Sequence, residues 1–153
     1  TTKKGAELEL NAQLNSNFVI DYSLTMGGYK FENFSNGEID YSKNNIAGIP
    51  NSFHKLSLNY TNDKGMNLVI SWKRVGKIYA NNSNTSSVTG YNLVNFNFSK
   101  KVFLFGLDVT PFLAIGNLLN EKYIDNIRIN AFGSRFYEAA SKINFVSGIK
   151  FDL

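Results

Sequence analysis

The sequence predicts an all-β protein, a transmembrane antiparallel β-barrel, on three observations. Apolar and polar residues alternate with a period of two in seven segments. Most of these runs reach about nine to eleven residues, the length at which a tilted strand crosses a bilayer core. Short connections between them alternate with long ones, as in barrels whose turns are short on the periplasmic side and long outside.

The first segment, Gly5 to Leu14, sets Ala6, Leu8, Leu10, Ala12 and Leu14 against Glu7, Glu9, Asn11 and Gln13. Only a strand puts those two sets on opposite faces. After Asn15-Ser16-Asn17, the second alternates Phe18, Ile20, Tyr22, Leu24 and Met26 with Val19, Asp21, Ser23 and Thr25. A long Asn-, Ser- and Gly-containing stretch, 33–48, separates it from the third, where Leu56, Leu58 and Tyr60 alternate with Lys55, Ser57 and Asn59. The turn at 61–65 carries Asn, Asp and Gly, residues that suit tight turns.

The fourth strand places Met66, Leu68, Ile70 and Trp72 opposite in face to Asn67, Val69, Ser71 and Lys73, and continues more loosely to Tyr79. The fifth, Tyr91 to Lys100, opposes Val94, Phe96 and Phe98 to Asn95, Asn97 and Ser99. A sixth is expected from Leu107 to Tyr123, with a bulge at Pro111 because proline lacks the ladder donor. The seventh, Ile143 to Leu153, is the clearest: Ile143, Phe145, Ile149, Phe151 and Leu153 alternate with Asn144, Gly148, Lys150 and Asp152.

Periodicity alone also fits a soluble sandwich, but such strands average about five or six residues. Phe18, Tyr60, Trp72, Tyr79, Tyr91, Tyr123 and Phe151 fall near predicted strand ends, where membrane-interface girdles sit. No apolar run approaches the roughly eighteen residues of a transmembrane helix. A chain without cysteine and with one histidine has no disulfide framework and few ligands for zinc or haem, so no cofactor is expected. The net charge of +4 is scattered over turns and loops, which argues against nucleic-acid binding.

Seven strands is an odd number, whereas bacterial single-chain barrels have an even one. With residues 15–17 as a periplasmic turn, the first and seventh strands both descend, and further strands are required. The start at Thr1-Thr2-Lys3-Lys4-Gly5, without an apolar leader, is read as a beginning inside a longer protein.

Lys4-Gly5-Ala6-Glu7-Leu8-Glu9-Leu10 resembles the KGxELEL strand of TonB-dependent receptors. Gly48-Ile49-Pro50-Asn51 with Phe53-His54 is similar to the stretch that opens another of their strands, without its second proline. Gly116 to Tyr123 resembles their NLFNKKY motif, and Phe132 to Glu138 their GRxYEP loop, with Ala139-Ala140 and Lys142 where proline and arginine are common. Gly148, Phe151 and Leu153 resemble the C-terminal signal read by the barrel-assembly machinery, with leucine in place of the usual final aromatic residue.

The resemblance implies a bacterial outer-membrane protein and a 22-stranded barrel of which this chain holds about the last seven strands. It implies a separate plug domain and TonB-contacting segment outside this chain, and partners that include the rest of the barrel, TonB, outer-membrane lipids and the assembly machinery. The implied function is energy-dependent import of an iron chelate such as a siderophore or haem, or of a similar scarce nutrient, and not an enzymatic one. The stretch Tyr123 to Glu138 resembles iron-chelate receptors more than carbohydrate importers.

Ligand contact is expected in the long loops, where Tyr41, Lys43, Arg128, Arg135 and Tyr137 offer charge and stacking to an anionic chelate. Anchoring of the loop is the competing role for Arg135 and Tyr137. Glu7 and Glu9 share a face but read as solvated carboxylates, and His54 as structural. Two alternatives stay open: a small outer-membrane barrel enzyme, for which no Asp/His/Ser cluster is evident, and an adhesive or structural barrel of about eight strands.

Overall fold

The computed structural model describes residues 1–134 and 136–152. The long strands are β1 (Thr2–Gln13), β2 (Phe18–Lys30), β3 (Ser52–Thr61), β4 (Met66–Val75), β5 (Tyr91–Lys100), β6 (Leu107–Gly116) and β7 (Asn144–Asp152). Each pairs antiparallel with the next, so the sheet is one meander in sequence order. Connections 14–17, 62–65 and 101–106 lie at one end, and the longer 31–51, 76–90 and 117–143 at the other.

The register carries the two-residue period across the whole sheet. Ala12, Ile20, Leu58, Ile70, Phe96, Ile115 and Phe145 form one cross-strand row on the apolar face. On the opposite face Asn11, Asp21, Ser57, Ser71 and Asn95 form another.

The apolar band runs obliquely. On β1 it reaches from Ala6, six residues to the long-loop side of the first row, to Leu14, two residues to the other side. On β6 it starts at Ile115, in the row, and reaches Leu107, eight residues away. Both edges therefore slide by six residues over five strand steps. At ~3.3 Å per residue and ~4.8 Å per strand this is a strand tilt of about 40° to the band, the value for strands in a membrane barrel.

Turn chemistry explains the short end. Asn15 Oδ1 accepts from the amides of Asn17 (2.8 Å) and Phe18 (3.0 Å), and Asn62 Oδ1 from those of Lys64 and Met66, both 3.0 Å. Phe105 and Gly106 both have positive φ, 52° and 84°, between the paired Leu104 and Leu107. That is a two-residue type I′ turn.

Three details differ from the sequence expectation. Pro111 makes no bulge: Ser99 pairs with Phe112, and three residues on Val102 pairs with Val109 in the same register. The missing donor leaves a gap in the ladder instead, and the Lys101 amide donates to Gly65 O across the sheet at 2.8 Å. The sixth strand stops at Gly116, because Asn117 takes a left-handed conformation (φ 52°). The fourth stops at Val75, and Ile78–Tyr79 pairs with Ser87–Val88 within its own loop.

Burial concentrates at the long-loop end. Val75, Tyr91 and Leu93 stand on the otherwise polar face, where Phe53, Ile78 and Tyr123 pack against them. The face turns apolar there because the loops fold back over it. Ala47 and Ala80, one from each of the first two long loops, are also buried.

Candidate functional site

The site offered by this sheet has two parts, the polar face and the clustered long loops. On the polar face Asp21 accepts from Asn11 Nδ2 at 2.5 Å and Asn59 Nδ2 at 2.8 Å, which joins the first three strands. A depression of about 470 Å³ opens here, lined by Glu9, Asn11, Asp21, Lys55, Ser57 and Asn59. Lys55 lies directly opposite Lys73, whose ammonium sits 5.9 Å from the centre of the Tyr91 ring. Glu7 and Glu9 pair across with Thr25 and Ser23. Among the described residues no three His, Cys, Asp or Glu side chains converge as metal ligands.

The loops are tied by asparagines. Asn84 has φ 58°, and its side chain bonds across loops: Oδ1 accepts the Asn45 amide at 2.7 Å and Nδ2 donates to Asn45 O at 2.8 Å. Asn44 Nδ2 donates to Asn82 O, and the Asn82 amide donates to Asn130 Oδ1, both at 2.9 Å. The middle loop is thus stapled to the loops on either side. Asparagine suits this role because it tolerates left-handed backbone and offers both a donor and an acceptor.

The sequence motifs find structural roles in the same region. Gly48 (φ 83°) lies against Ile129 of the last loop, where an added Cβ would collide with the Ile129 Cδ1. Buried Asn117 donates to Glu121 O (2.8 Å) and Ser141 O (3.3 Å), and its Oδ1 accepts the Glu121 amide (2.8 Å). The Tyr123 ring stacks on Tyr91 with centroids 4.5 Å apart. Burial pushes the Tyr123 phenol up, and the Asp125 charge acts in the same direction.

The expected ligand residues fall into two groups. Tyr41 stacks on Phe34 at 5.6 Å, which stacks on Phe31 at 4.6 Å. Lys43 follows at φ 70°, its amide donating to Phe31 O. In the last loop Ile124–Ile127 pairs with Tyr137–Ala139. There Arg128 Nε donates to Glu138 Oε1 (2.8 Å) and Nη2 pairs with the same oxygen (2.5 Å). Hydrogen bonds from Asn126 and Arg128, with the Arg128 charge, hold the Glu138 carboxyl below its ordinary range. Tyr137 donates to Ser87 O at 3.4 Å. No hydrogen bond or ring contact joins Tyr41 or Lys43 to Arg128 or Tyr137 among the described residues. Arg135 and Leu153 lie outside the described residues.

His54 and Tyr22 share a hydrogen bond of 3.0 Å between Nδ1 and the phenol, with Trp72 at 5.9 Å from the imidazole. All three stand on the apolar face, His54 and Trp72 at the long-loop edge of the band and Tyr22 within it. Gly148 faces Phe112 across the ladder, and an added Cβ would come 2.7 Å from the phenyl ring. Phe151, opposite Val109, is on the apolar face.

Sequence reasoning missed the asparagine staples and the Phe31/Phe34 stack. The only signal for the first was the density of Asn in the loops, and for the second the three aromatic residues around the Gly37 turn.

A sequence profile of the family described as TonB dependent receptor-like, beta-barrel, matches residues 1–118. Among solved structures, BauA, the ferric preacinetobactin receptor of Acinetobacter baumannii, superposes with a TM-score of 0.82 at 17% identity, over 99% of this chain and 22% of that one. The siderophore receptor PiuA of the same organism gives 0.78 at 19% identity, over 96% and 21%. The ferric yersiniabactin uptake receptor FyuA of Yersinia pestis gives 0.72 at 14%, over 99% and 23%. The chain spans about a fifth of the length of these receptors.

Proposed function

The chain belongs to the TonB-dependent receptor-like β-barrel family, and from that premise we propose that it forms part of the wall of an outer-membrane transporter importing an iron chelate. The observation that carries this reading is the two-faced sheet. One face presents a slanted apolar band to lipid, and the other a wet wall of Asp, Asn, Ser and Lys to a lumen. Proteins of this family lie in the outer membrane.

The free sides of β1 and β7 need strand partners in lipid, where each unpaired backbone group costs on the order of several kcal/mol. Other strands of a larger barrel, with this chain as its C-terminal part, supply them. A plug domain, and TonB acting through it, complete the transporter. BauA and FyuA are receptors for ferric chelates and PiuA is a siderophore receptor, which supports iron chelates as the cargo class. Tyr41, Arg135 and Tyr137 remain the loop side chains proposed to meet the cargo, by stacking and charge, whereas Lys43, also expected there, lines a notch shared with Lys4 and Lys30. Arg128 is committed to Glu138 and acts by holding the last loop in shape.

The test is uptake of radiolabelled ferric chelates by cells with and without the intact receptor, in backgrounds with and without TonB. Uptake of at least one chelate that needs both is the expected result. Equal uptake in all four backgrounds across the siderophore classes contradicts the proposal.

A further inference from the structure

The charges of the strands are sorted by face. Glu7, Glu9, Asp21 and Asp108 all occupy lumen-side positions, and the lipid-side positions of the described strands carry no carboxylate. Cations do stand on that side. The first position beyond the apolar band at its long-loop edge is Lys4 on β1, Gly28 on β2, His54 on β3, Arg74 on β4 and Asn92 on β5. Each lies two residues past the last apolar side chain on that face of its strand, so the oblique edge brings all five to about one depth.

Lys4 and Gly28 are direct cross-strand partners. An added Cβ at Gly28 would meet nothing within 4 Å, so the rim is notched there. The notch holds about 300 Å³ and is lined by Thr2, Lys4, Lys30, Phe31, Glu32 and Lys43. Three ammonium groups face one carboxylate, and Glu32 is already taken up by the Thr2 hydroxyl, which donates to it. Lys43 acts on Glu32 through its charge, and among the described residues Lys4 and Lys30 make no ion pair. Phe31, stacked on Phe34, gives the notch an apolar wall. A cationic notch at the level where hydrocarbon gives way to headgroups, with acyl-compatible walls underneath, fits a lipid whose headgroup carries phosphate.

We propose that the notch over Gly28 binds a phosphate of a phosphorylated glycolipid in the outer leaflet. The inference rests on the outer-membrane reading above, which places the long-loop edge at the outer surface. Lys4, Lys30 and Lys43 take the phosphate oxygens, Phe31 packs on the sugar and upper acyl region, and Arg74 continues the cationic rim two strands on.

The intact receptor in nanodiscs containing a bisphosphorylated lipid A-type glycolipid and phosphatidylglycerol tests this by native mass spectrometry. The native protein is expected to retain the glycolipid at least tenfold over phosphatidylglycerol. The triple variant Lys4→Gln/Lys30→Gln/Lys43→Gln should lose that preference, and Gly28→Leu, whose Cβ enters open space and whose side chain projects into the notch, should lose it while folding normally. Lys55→Gln/Lys73→Gln, on the lumen wall, should keep it. Equal retention in all variants, or release of the glycolipid by millimolar inorganic phosphate or by phosphatidylglycerol, overturns the proposal. Chelate uptake on the same variants reads the transport function separately, so either reading can fail without the other.

Discussion

Ile70 and Ser71 are chain neighbours on opposite faces of β4, in rows with Leu58 and Phe96 and with Ser57 and Asn95. Ile70→Arg places a charge against hydrocarbon and should destabilise the barrel by roughly 2–4 kcal/mol, measured by reversible unfolding in lipid, whereas Ser71→Arg should be mild. Arg128 and Glu138 give a second residue-scale outcome. Because the folded carboxyl is held below its ordinary range, the unfolded state binds a proton more readily. The contribution of Glu138 is present above the ordinary glutamate range and fades as the pH falls through its lowered value. The protection factor of the Arg128 amide, which donates to Phe136 O, should therefore fall in acid once the intrinsic exchange rate at each pH is divided out, and Glu138→Gln should remove that fall.

At the scale of elements, the strands were legible in the sequence because their signal is local. Each alternation, such as Leu56-Ser57-Leu58, needs only a pleat to separate its faces. Strand ends were less legible. Pro111 looked like a bulge, yet a strand can omit one donor and keep register when its other edge remains paired, as Pro111 does with Ile149. The loops were the least legible, since the partners that shape them are distant in sequence: Asn84 with Asn45, Gly48 with Ile129, Asn82 with Asn130. The Phe105-Gly106 turn was also hidden, for a bulky side chain at the first left-handed position runs against its preference. Phe105→Asn should consequently stabilise this hairpin by about 1 kcal/mol, read as a higher unfolding midpoint. No change would mean that the exposed phenyl gains elsewhere what the backbone loses.

At the scale of the molecule, the slide of the apolar band joins sequence, fold and function. Ala6 and Ile115 bound the band on β1 and β6 although they sit six residues apart in register, and this offset requires tilted strands in a curved wall. The same tilt brings Lys4 and Arg74 to one depth and gathers three long loops at one mouth. Face assignment is therefore the claim on which the rest depends. The chain has no cysteine, so single cysteines introduced at each position of β4, Met66–Val75, in the intact receptor report their own surroundings. Spin labels there should alternate: positions 66, 68, 70 and 72 accessible to oxygen dissolved in lipid, positions 67, 69, 71 and 73 accessible to an aqueous paramagnetic reagent. Accessibility without a two-residue period, or with the two sets exchanged, would contradict the account.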